Sequence, residues 1–212
     1  MVIVGAIIGA AWGFASDRIA ARWPAHEDGS IRPIDWRTPI VVVVGAGSWA
    51  LLADRFGGNA GQLALMGLYL VALILLFATD LDQRLLPDVV TYPLIALALV
   101  GFLVGVGPYV HDPTELGFAA AAAVGLPLFL YLLSIPFGAG AIGLGDLKLL
   151  VSVGLLGGPL RLLVGLIGGA IIGALAIVAL IVLRRITLRS YVPYGPFLIV
   201  GAIWALLSLT DM

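Results

Sequence analysis

Long apolar runs alternate with short polar segments along the whole chain. A transmembrane helix needs roughly 20 mostly apolar residues, within a range of about 17–25. Four apolar segments meet this requirement directly: 61–79, 89–108, 117–137 and 160–183. Four shorter segments complete the pattern: 1–15, 39–53, 146–157 and 195–210. The pattern therefore predicts an all-α, polytopic helical membrane protein with about eight transmembrane helices.

The shortest of these segments, 146–157, cannot cross a bilayer unaided. It ends at Gly157-Gly158-Pro159, a combination that is a strong helix stop. One long kinked helix over 146–183 is the alternative interpretation. Without a separate 146–157 helix, however, the arginines after residue 183 would move to the other side of the membrane from most basic residues. This placement favours two helices over one.

The composition indicates the same class of protein. Hydrophobic residues make up 62% of the chain and charged residues 11%, and the mean hydropathy is +1.16; soluble proteins carry about 25% charged residues. We therefore expect residues 1–212 to form a single integral-membrane domain rather than a soluble one. The chain has no cysteine, which excludes disulfides, a thiolate metal site and a cysteine nucleophile. Segment 1–15 lacks a basic start and predicts a retained helix rather than a cleaved signal peptide.

Basic residues are concentrated on one side of the predicted bundle. An excess of lysine and arginine marks the cytoplasmic side of a membrane protein. Eight helices place loops 16–38, 80–88, 138–148 and 184–194 on one side, and we expect that side to be cytoplasmic, with both termini outside. That side holds Arg18, Arg22, Arg32, Arg37, Arg84, Lys148, Arg184, Arg185 and Arg189. The opposite side holds Arg55 and Arg161.

Two acidic motifs stand at the ends of apolar segments on this side. The first motif covers residues 80–88 and reads Asp-Leu-Asp-Gln-Arg-Leu-Leu-Pro-Asp, and the second covers 143–148 and reads Gly-Leu-Gly-Asp-Leu-Lys. The chain leaves the membrane face after the first motif and returns to it at the second, so carboxylates from both can share one site. Paired carboxylates can hydrolyse a peptide bond, one activating water and the other, protonated, polarising the carbonyl.

The residues alone do not fully decide which two aspartates form the carboxylate pair. Asp146 is flanked by Gly143 and Gly145, which would let a substrate strand approach closely, although Asp146 could instead cap a helix that begins at Leu147. Asp88 follows a proline before an apolar run, which is the position of a helix cap. Asp80 and Asp82 are both candidates for the first carboxylate, and spacing favours Asp80 only modestly.

The motifs resemble those of the type IV prepilin peptidases, which are polytopic aspartyl proteases of the Gly-x-Gly-Asp class. The run from Thr79 to Asp88 is similar to the first aspartate motif of that family, and the run from Gly143 to Leu150 to the second. A third element, Val192-Pro193-Tyr194-Gly195-Pro196-Phe197-Leu198, resembles a Pro-aromatic-Gly-Pro turn that opens the last helix. The similarity covers most of residues 61–212, in order and at similar separations.

The resemblance implies that Asp80 and Asp146 are the catalytic aspartates. It also implies the reaction, the removal of the basic leader from a prepilin or pseudopilin at the cytoplasmic face of the inner membrane, without a metal or other cofactor. We expect an excess of acidic residues around the site, giving a local charge of −2 that attracts the leader. Substrate-binding or site-shaping roles are assigned to neighbours of the pair: Gly143, Gly145, Lys148, Asp82 and Pro87.

The chain departs from the longer family members in loop 16–38. Those members carry two pairs of cysteines after the first helix, in a loop linked to methylation of the new N-terminus. Here the loop is short and has no cysteine, so we expect a protease without methyltransferase activity. The loop could dock across the cytoplasmic mouth of the site, with Trp23 and Trp36 at the headgroup level.

Other patterns have competing interpretations. His26 with Glu27 and Asp28, and His111 with Asp112 and Glu115, are more typical of solvated loops than of metal sites. Glycines at 165, 169 and 173 favour internal packing, although a homodimer seam would use the same spacing. Arg184, Arg185 and Arg189 could touch anionic membrane lipids, and no nucleic-acid partner is expected. A cation-coupled transporter or channel and an inactive pilin-binding scaffold are the alternative functions.

Overall fold

The computed structural model describes residues 1–26, 29–137, 142–185, 187 and 194–209. Seven α-helices and one short 3₁₀ helix, Ile135–Phe137, make up the regular structure of these residues. The helices are α1 (Val2–Ala20), α2 (Arg37–Phe56), α3 (Ala60–Gln83), α4 (Asp88–Leu103), α5 (Pro113–Ser134), α6 (Leu144–Val182) and α7 (Gly195–Ser208). The predicted all-α class is confirmed.

Five of the described helices, α1, α2, α3, α5 and α6, are long and apolar enough to cross a membrane. Helices α4 and α7 are apolar but shorter. Several predicted positions fall outside the described residues, so the structure does not place them: Glu27, Asp28, Arg189, Val192, Pro193, residue 212 and part of loop 138–148.

Helix α6 contains the break that the sequence predicts at Gly158. This glycine has φ 72° and ψ −178°, a conformation that only glycine adopts readily. Gly145, at the start of α6, lies against Leu86, and Gly157 lies against Leu206 near the end of α7. After the break, Gly173 lies against Phe197 at the start of α7. The chain thus reverses direction at Gly158, as two predicted helices require and one continuous kinked helix does not.

The far end of the bundle, away from the acidic motifs, is closed by two arginines and a tyrosine. Arg55 and Arg161 donate hydrogen bonds to the carbonyls of Leu207 and Leu209, at 3.4 and 3.3 Å. The guanidinium of Arg161 lies 3.6 Å from the ring centroid of Tyr109, whose hydroxyl donates to the Leu206 carbonyl. Cations stabilise the negative end of a helix dipole, so this cluster fixes the end of α7.

Helix α7 packs closely against the second half of α6 through small residues. A Cβ atom at Gly169 would lie 2.7 Å from the Phe197 carbonyl oxygen, and one at Gly165 would lie 3.3 Å from Ala202 Cα. The glycine pattern therefore serves packing within the chain, the interpretation that the sequence favours over a homodimer seam.

Gly201 on α7 should tolerate no side chain. A Cβ atom there would lie 2.8 Å from Gly169 Cα and 2.5 Å from Gly169 N, so Gly201→Ala should destabilise the protein by about 1–3 kcal/mol through overpacking. Gly125→Ala is the matched control, because a Cβ atom at Gly125 meets nothing within 4 Å. Thermal unfolding in detergent should show a lower midpoint for Gly201→Ala alone; equal midpoints would contradict the close packing.

Candidate active site

The structure brings Asp80 and Asp146 together at one end of the bundle. Asp80 lies in the last turn of α3 and Asp146 in the first turn of α6. Both line a cavity of about 210 Å³, together with Arg84, Leu85, Leu86, Gly143, Leu144 and Gly145. Two carboxylates separated by 66 positions in the sequence thus face one space.

Gly195, the first residue of α7, lies against both carboxylates. A Cβ atom at this position would lie 2.7 Å from Asp80 Cγ and 3.1 Å from Asp146 Oδ1, and closer still to Asp80 Oδ2. The backbone of α7 therefore approaches the pair more closely than any residue with a side chain could. Sequence reasoning identified Gly195 only as part of a turn motif and did not assign it to the site.

The Asp80 carboxylate is well shielded from solvent, with the residue 5% exposed. Its Oδ2 atom has no hydrogen-bond partner among the described residues. Two carboxylates at close range cannot both ionise comfortably, so such a pair tends to share one proton. The arrangement can therefore supply one base and one acid to a reacting group in the cavity.

Helix α3 is longer than the sequence predicts, which changes the setting of the first motif. The apolar pattern predicts a helix over 61–79 and a loop over 80–88, but α3 continues to Gln83. Arg84 then adopts a left-handed conformation with φ 59°, and its N–H donates to the Asp80 carbonyl at 2.9 Å. Asp80 is consequently a helical residue. The hydrophobic pattern places the helix end too early because most side chains of the last turn are polar.

The two glycines of the second motif have different neighbours. A Cβ atom at Gly143 would lie 3.1 Å from Asp146 Oδ2, whereas one at Gly145 would lie 2.7 Å from Leu86 Cβ. Gly145 thus allows α6 to pack against the first motif. The interpretation of Asp146 as a helix cap is wrong, because α6 begins at Leu144 and its N-cap residue is Gly143.

Tyr194 is a further side chain close to Asp146 that the sequence did not assign to the site. It immediately precedes α7 and is partly exposed. Burial, and then the charge of Asp146, raise the pKa of Tyr194. Its hydroxyl therefore stays protonated at neutral pH, close to Asp146.

Lys148, Asp88 and Pro87 do not line the cavity but connect the two motifs near it. Lys148 Nζ lies 2.5 Å from Asp88 Oδ1 and 4.6 Å from the ring centroid of Tyr92. Pro87 is the N-cap residue of α4, and Asp88, which makes no capping bond through its side chain, is the first helical residue. The capping role predicted for Asp88 is therefore wrong, and its partner is Lys148.

Asp82 points away from the pair into a cluster of basic residues. Its side chain is 2% exposed and its Oδ1 atom lies 2.8 Å from Arg32 Nε and 3.0 Å from Arg37 Nη1. His26 Nε2 lies 3.2 Å from Oδ2. Asp82 is therefore a buried, ion-paired residue rather than a solvated one. The expected local charge of −2 counts Asp82 without these arginines and without Asp17 and Asp35, the carboxylates with which the arginines also pair.

The second histidine-containing cluster, His111 with Asp112 and Glu115, has a structural role at the far end of the bundle. Asp112 caps α5 by accepting hydrogen bonds from the Thr114 and Glu115 N–H groups, at 2.7 and 2.8 Å. Glu115 in turn accepts one from the His111 N–H at 2.7 Å. These residues satisfy the free N–H groups at a helix start.

The fold and the site define the class: a polytopic helical membrane protein with two aspartates facing one cavity at one end of the bundle. The chain belongs to the type IV leader peptidase family, whose sequence model matches residues 67–178, a range that includes both aspartates. This membership and the apolar helices identify it as a multi-pass protein of the inner membrane. No solved structure matches the chain.

Several relatives carry the name prepilin leader peptidase/N-methyltransferase. That of Pseudomonas putida is 32% identical over 172 residues, which cover 79% of this chain and 57% of the relative. The Pseudomonas aeruginosa protein is 32% identical over 177 residues, covering 81% and 58%. The Aeromonas hydrophila protein is 33% identical over 179 residues, covering 82% and 59%. The chain thus spans somewhat more than half the length of these relatives.

Proposed function

We propose that the chain is an aspartyl endopeptidase that removes the basic leader from type IV prepilins or pseudopilins. The observation that carries this proposal is the convergence of Asp80 and Asp146 on one cavity against Gly195. The names of the relatives supply the substrate class. Residues 1–212 would act as a single integral-membrane domain.

The chemistry follows from one proton shared by the two aspartates. The ionised carboxylate takes a proton from a water molecule as the water oxygen attacks the scissile carbonyl carbon. The protonated carboxyl donates its proton to the carbonyl oxygen, which gives a neutral tetrahedral intermediate. The intermediate collapses when the C–N bond breaks: the leaving nitrogen takes the proton from the protonated carboxyl, and a hydroxyl of the intermediate gives a proton to the other carboxylate as the product carboxyl forms. The aspartates thereby return to the shared-proton state.

A transporter or channel is less well supported by the geometry. Carboxylates that bind or relay ions in transporters lie near the bilayer midplane. Here the pair lies at the end of α3 and the start of α6. Co-expression with a panel of prepilins and pseudopilins tests the proposal: a shortened product whose N-terminus has lost the leader is expected, and full-length substrate throughout the panel would contradict it.

The active site is proposed to face the cytoplasm, because the basic residues surround it. Labelling of single introduced cysteines tests this orientation without background labelling, since the chain has no cysteine of its own. Ile34→Cys, in the exposed loop on the same end as the aspartates, should react with an impermeant thiol reagent only after the cells are permeabilised. Gly58→Cys, in the α2–α3 turn at the far end, should react in intact cells. The reverse pattern would contradict the orientation.

The chain is proposed to cleave its substrate without methylating it. The sequence predicts a loop over 16–38, but α1 continues to Ala20 and α2 begins at Arg37. The segment that joins them, 21–36, has no cysteine and is too short to bury a core of its own for a methyl-donor site. Mass spectrometry of the mature substrate, with this chain as the only peptidase present, should find a free amine at the new N-terminus. A methylated N-terminus would contradict the proposal.

A further inference from the structure

One buried arginine, Arg32, joins three separate parts of the chain. It is 8% exposed and contacts a carboxylate from the end of α1, one from the loop and one from the end of α3. Its Nη2 pairs with Asp17 Oδ1, its Nη1 lies 2.6 Å from Asp35 Oδ1, and its Nε lies 2.8 Å from Asp82 Oδ1. Arg37, by comparison, pairs with two carboxylates, Asp35 and Asp82, and Arg18 pairs with Asp17.

The contacts keep this buried cation stable. Burial by itself would lower the pKa of Arg32, but hydrogen bonding to Asp17 and the charges of Asp17, Asp82 and Asp35 raise it above its usual value. The two Nη atoms hydrogen-bond Asp35 and Asp17, whereas the contact of Nε with Asp82 is a close ion pair without a hydrogen bond. A planar guanidinium can contact three carboxylates in this way, whereas a lysine ammonium acts as a point charge. Without Arg32, Asp17 would keep Arg18 and Thr38 and Asp82 would keep Arg37 and His26, so each buried carboxylate would lose one of several partners.

The turn that Arg32 contacts is the turn that carries Asp80. Asp82 follows Asp80 by two residues, and α3 ends at the next residue, Gln83. The Gln83 side chain donates hydrogen bonds to the carbonyls of Ala20 and Pro24, at 3.3 and 2.7 Å. The last turn of a helix has no following turn to stabilise it. At the end of α3, Arg32 and the carbonyls of Ala20 and Pro24 supply the stabilising contacts.

We propose that Arg32 is a positioning residue for the active site: acting through Asp82, it holds the last turn of α3, and hence the Asp80 carboxylate, in its catalytic position. The described part of the α1–α2 loop, residues 21–26 and 29–36, is on this account a brace that the cleavage reaction needs. The inference rests on the proposed peptidase function.

Steady-state cleavage of a prepilin that the unmodified chain processes tests the proposal. Arg32→Gln should lower kcat on the order of 10- to 100-fold, because small displacements of a catalytic group have effects of that size. KM should stay within about twofold, since Arg32 does not line the cavity. A rise in KM with unchanged kcat, or unchanged kinetics, would overturn the proposal.

Matched variants separate positioning from a general loss of charge or of folding. Arg22→Gln removes the same charge from an exposed residue of the loop whose guanidinium bonds the Arg18 carbonyl, and it should retain the unmodified kcat. Asp82→Asn should lower kcat like Arg32→Gln, and the double variant should lose no more than the worse single variant. Losses that multiply would show that Arg32 does not act through Asp82. If Arg32→Gln does not fold, Asp82→Asn, which leaves the Asp17–Arg32 pair in place, decides by the same kcat criterion.

A cross-linking measurement tests the contact without any cleavage assay. Pro24→Cys and Gln83→Cys, combined in one chain, keep Arg32 and Asp82 in place and provide the chain's only two thiols, at positions that are in contact across the loop and the end of α3. After treatment with a bifunctional thiol reagent, cutting at a protease site inserted at Gly58 should leave the two fragments joined; separated fragments would overturn the brace. If the unmodified chain cleaves no prepilin while the fragments stay joined, the proposed function fails and the contact stands.

Discussion

Asp80→Asn and Asp146→Asn should each abolish leader removal while leaving the protein folded and inserted in the membrane. Asparagine has nearly the shape of aspartate but can neither carry the negative charge nor exchange the shared proton. General acid–base catalysis contributes roughly 10²–10⁴-fold to a rate, and each variant should lose at least that factor. The processed fraction of a co-expressed prepilin is the measurement.

Asp88→Asn is the matched control for these two variants. Asp88 is exposed, and its pair with Lys148 lies outside the cavity; exposed ion pairs contribute only about 0–1 kcal/mol. Most of the activity should therefore remain. Normal cleavage by Asp80→Asn, together with none by Asp82→Asn, would show that the first catalytic carboxylate has been assigned to the wrong residue.

Gly195→Ala should lower the cleavage rate on the order of 10²-fold, although it adds only one methyl group. The added Cβ atom would lie 2.7 Å from Asp80 Cγ and 3.1 Å from Asp146 Oδ1. One or both carboxylates would have to move, and a displacement of about 1 Å at a catalytic group is enough for a loss of this size. Single-turnover cleavage with purified protein measures the effect.

The cause at Gly195 is space rather than backbone conformation, because Gly195 is not among the described residues with positive φ. Alanine should therefore leave the helix itself intact, and the thermal midpoint should not fall as it does for Gly201→Ala. Gly125→Ala serves again as the control, with an unchanged cleavage rate. Full activity in Gly195→Ala would contradict the close approach of α7 to the aspartates.

The sequence predicted the fold class and the convergence of the two motifs for a physical reason. Apolar runs long enough to span a bilayer fix the order of membrane crossings, and that order returns Asp146 to the face where Asp80 lies. The sequence also predicted the reversal at Gly158, since consecutive glycines before a proline rarely continue a helix. These features depend on local pattern alone.

The surroundings of the site depend instead on contacts between distant segments. Asp82 and Arg32 are each unremarkable in their own segments, because a charged residue beside a loop is usually solvated. Their pairing appears only when the loop folds back on the end of α3. Gly195 was likewise recognisable as a turn residue, but no local signal shows that two carboxylates occupy the space beside it.

The most direct test is cleavage with only two proteins present. The purified chain, reconstituted in lipid vesicles with a purified prepilin, should yield a free leader and a shortened pilin, both identified by mass spectrometry. Asp80→Asn and Asp146→Asn proteins prepared in the same way should yield neither product, and a chelator should not inhibit the unmodified protein. Equal cleavage by the unmodified and Asp146→Asn proteins would contradict the account, since the activity would then not depend on the aspartate pair.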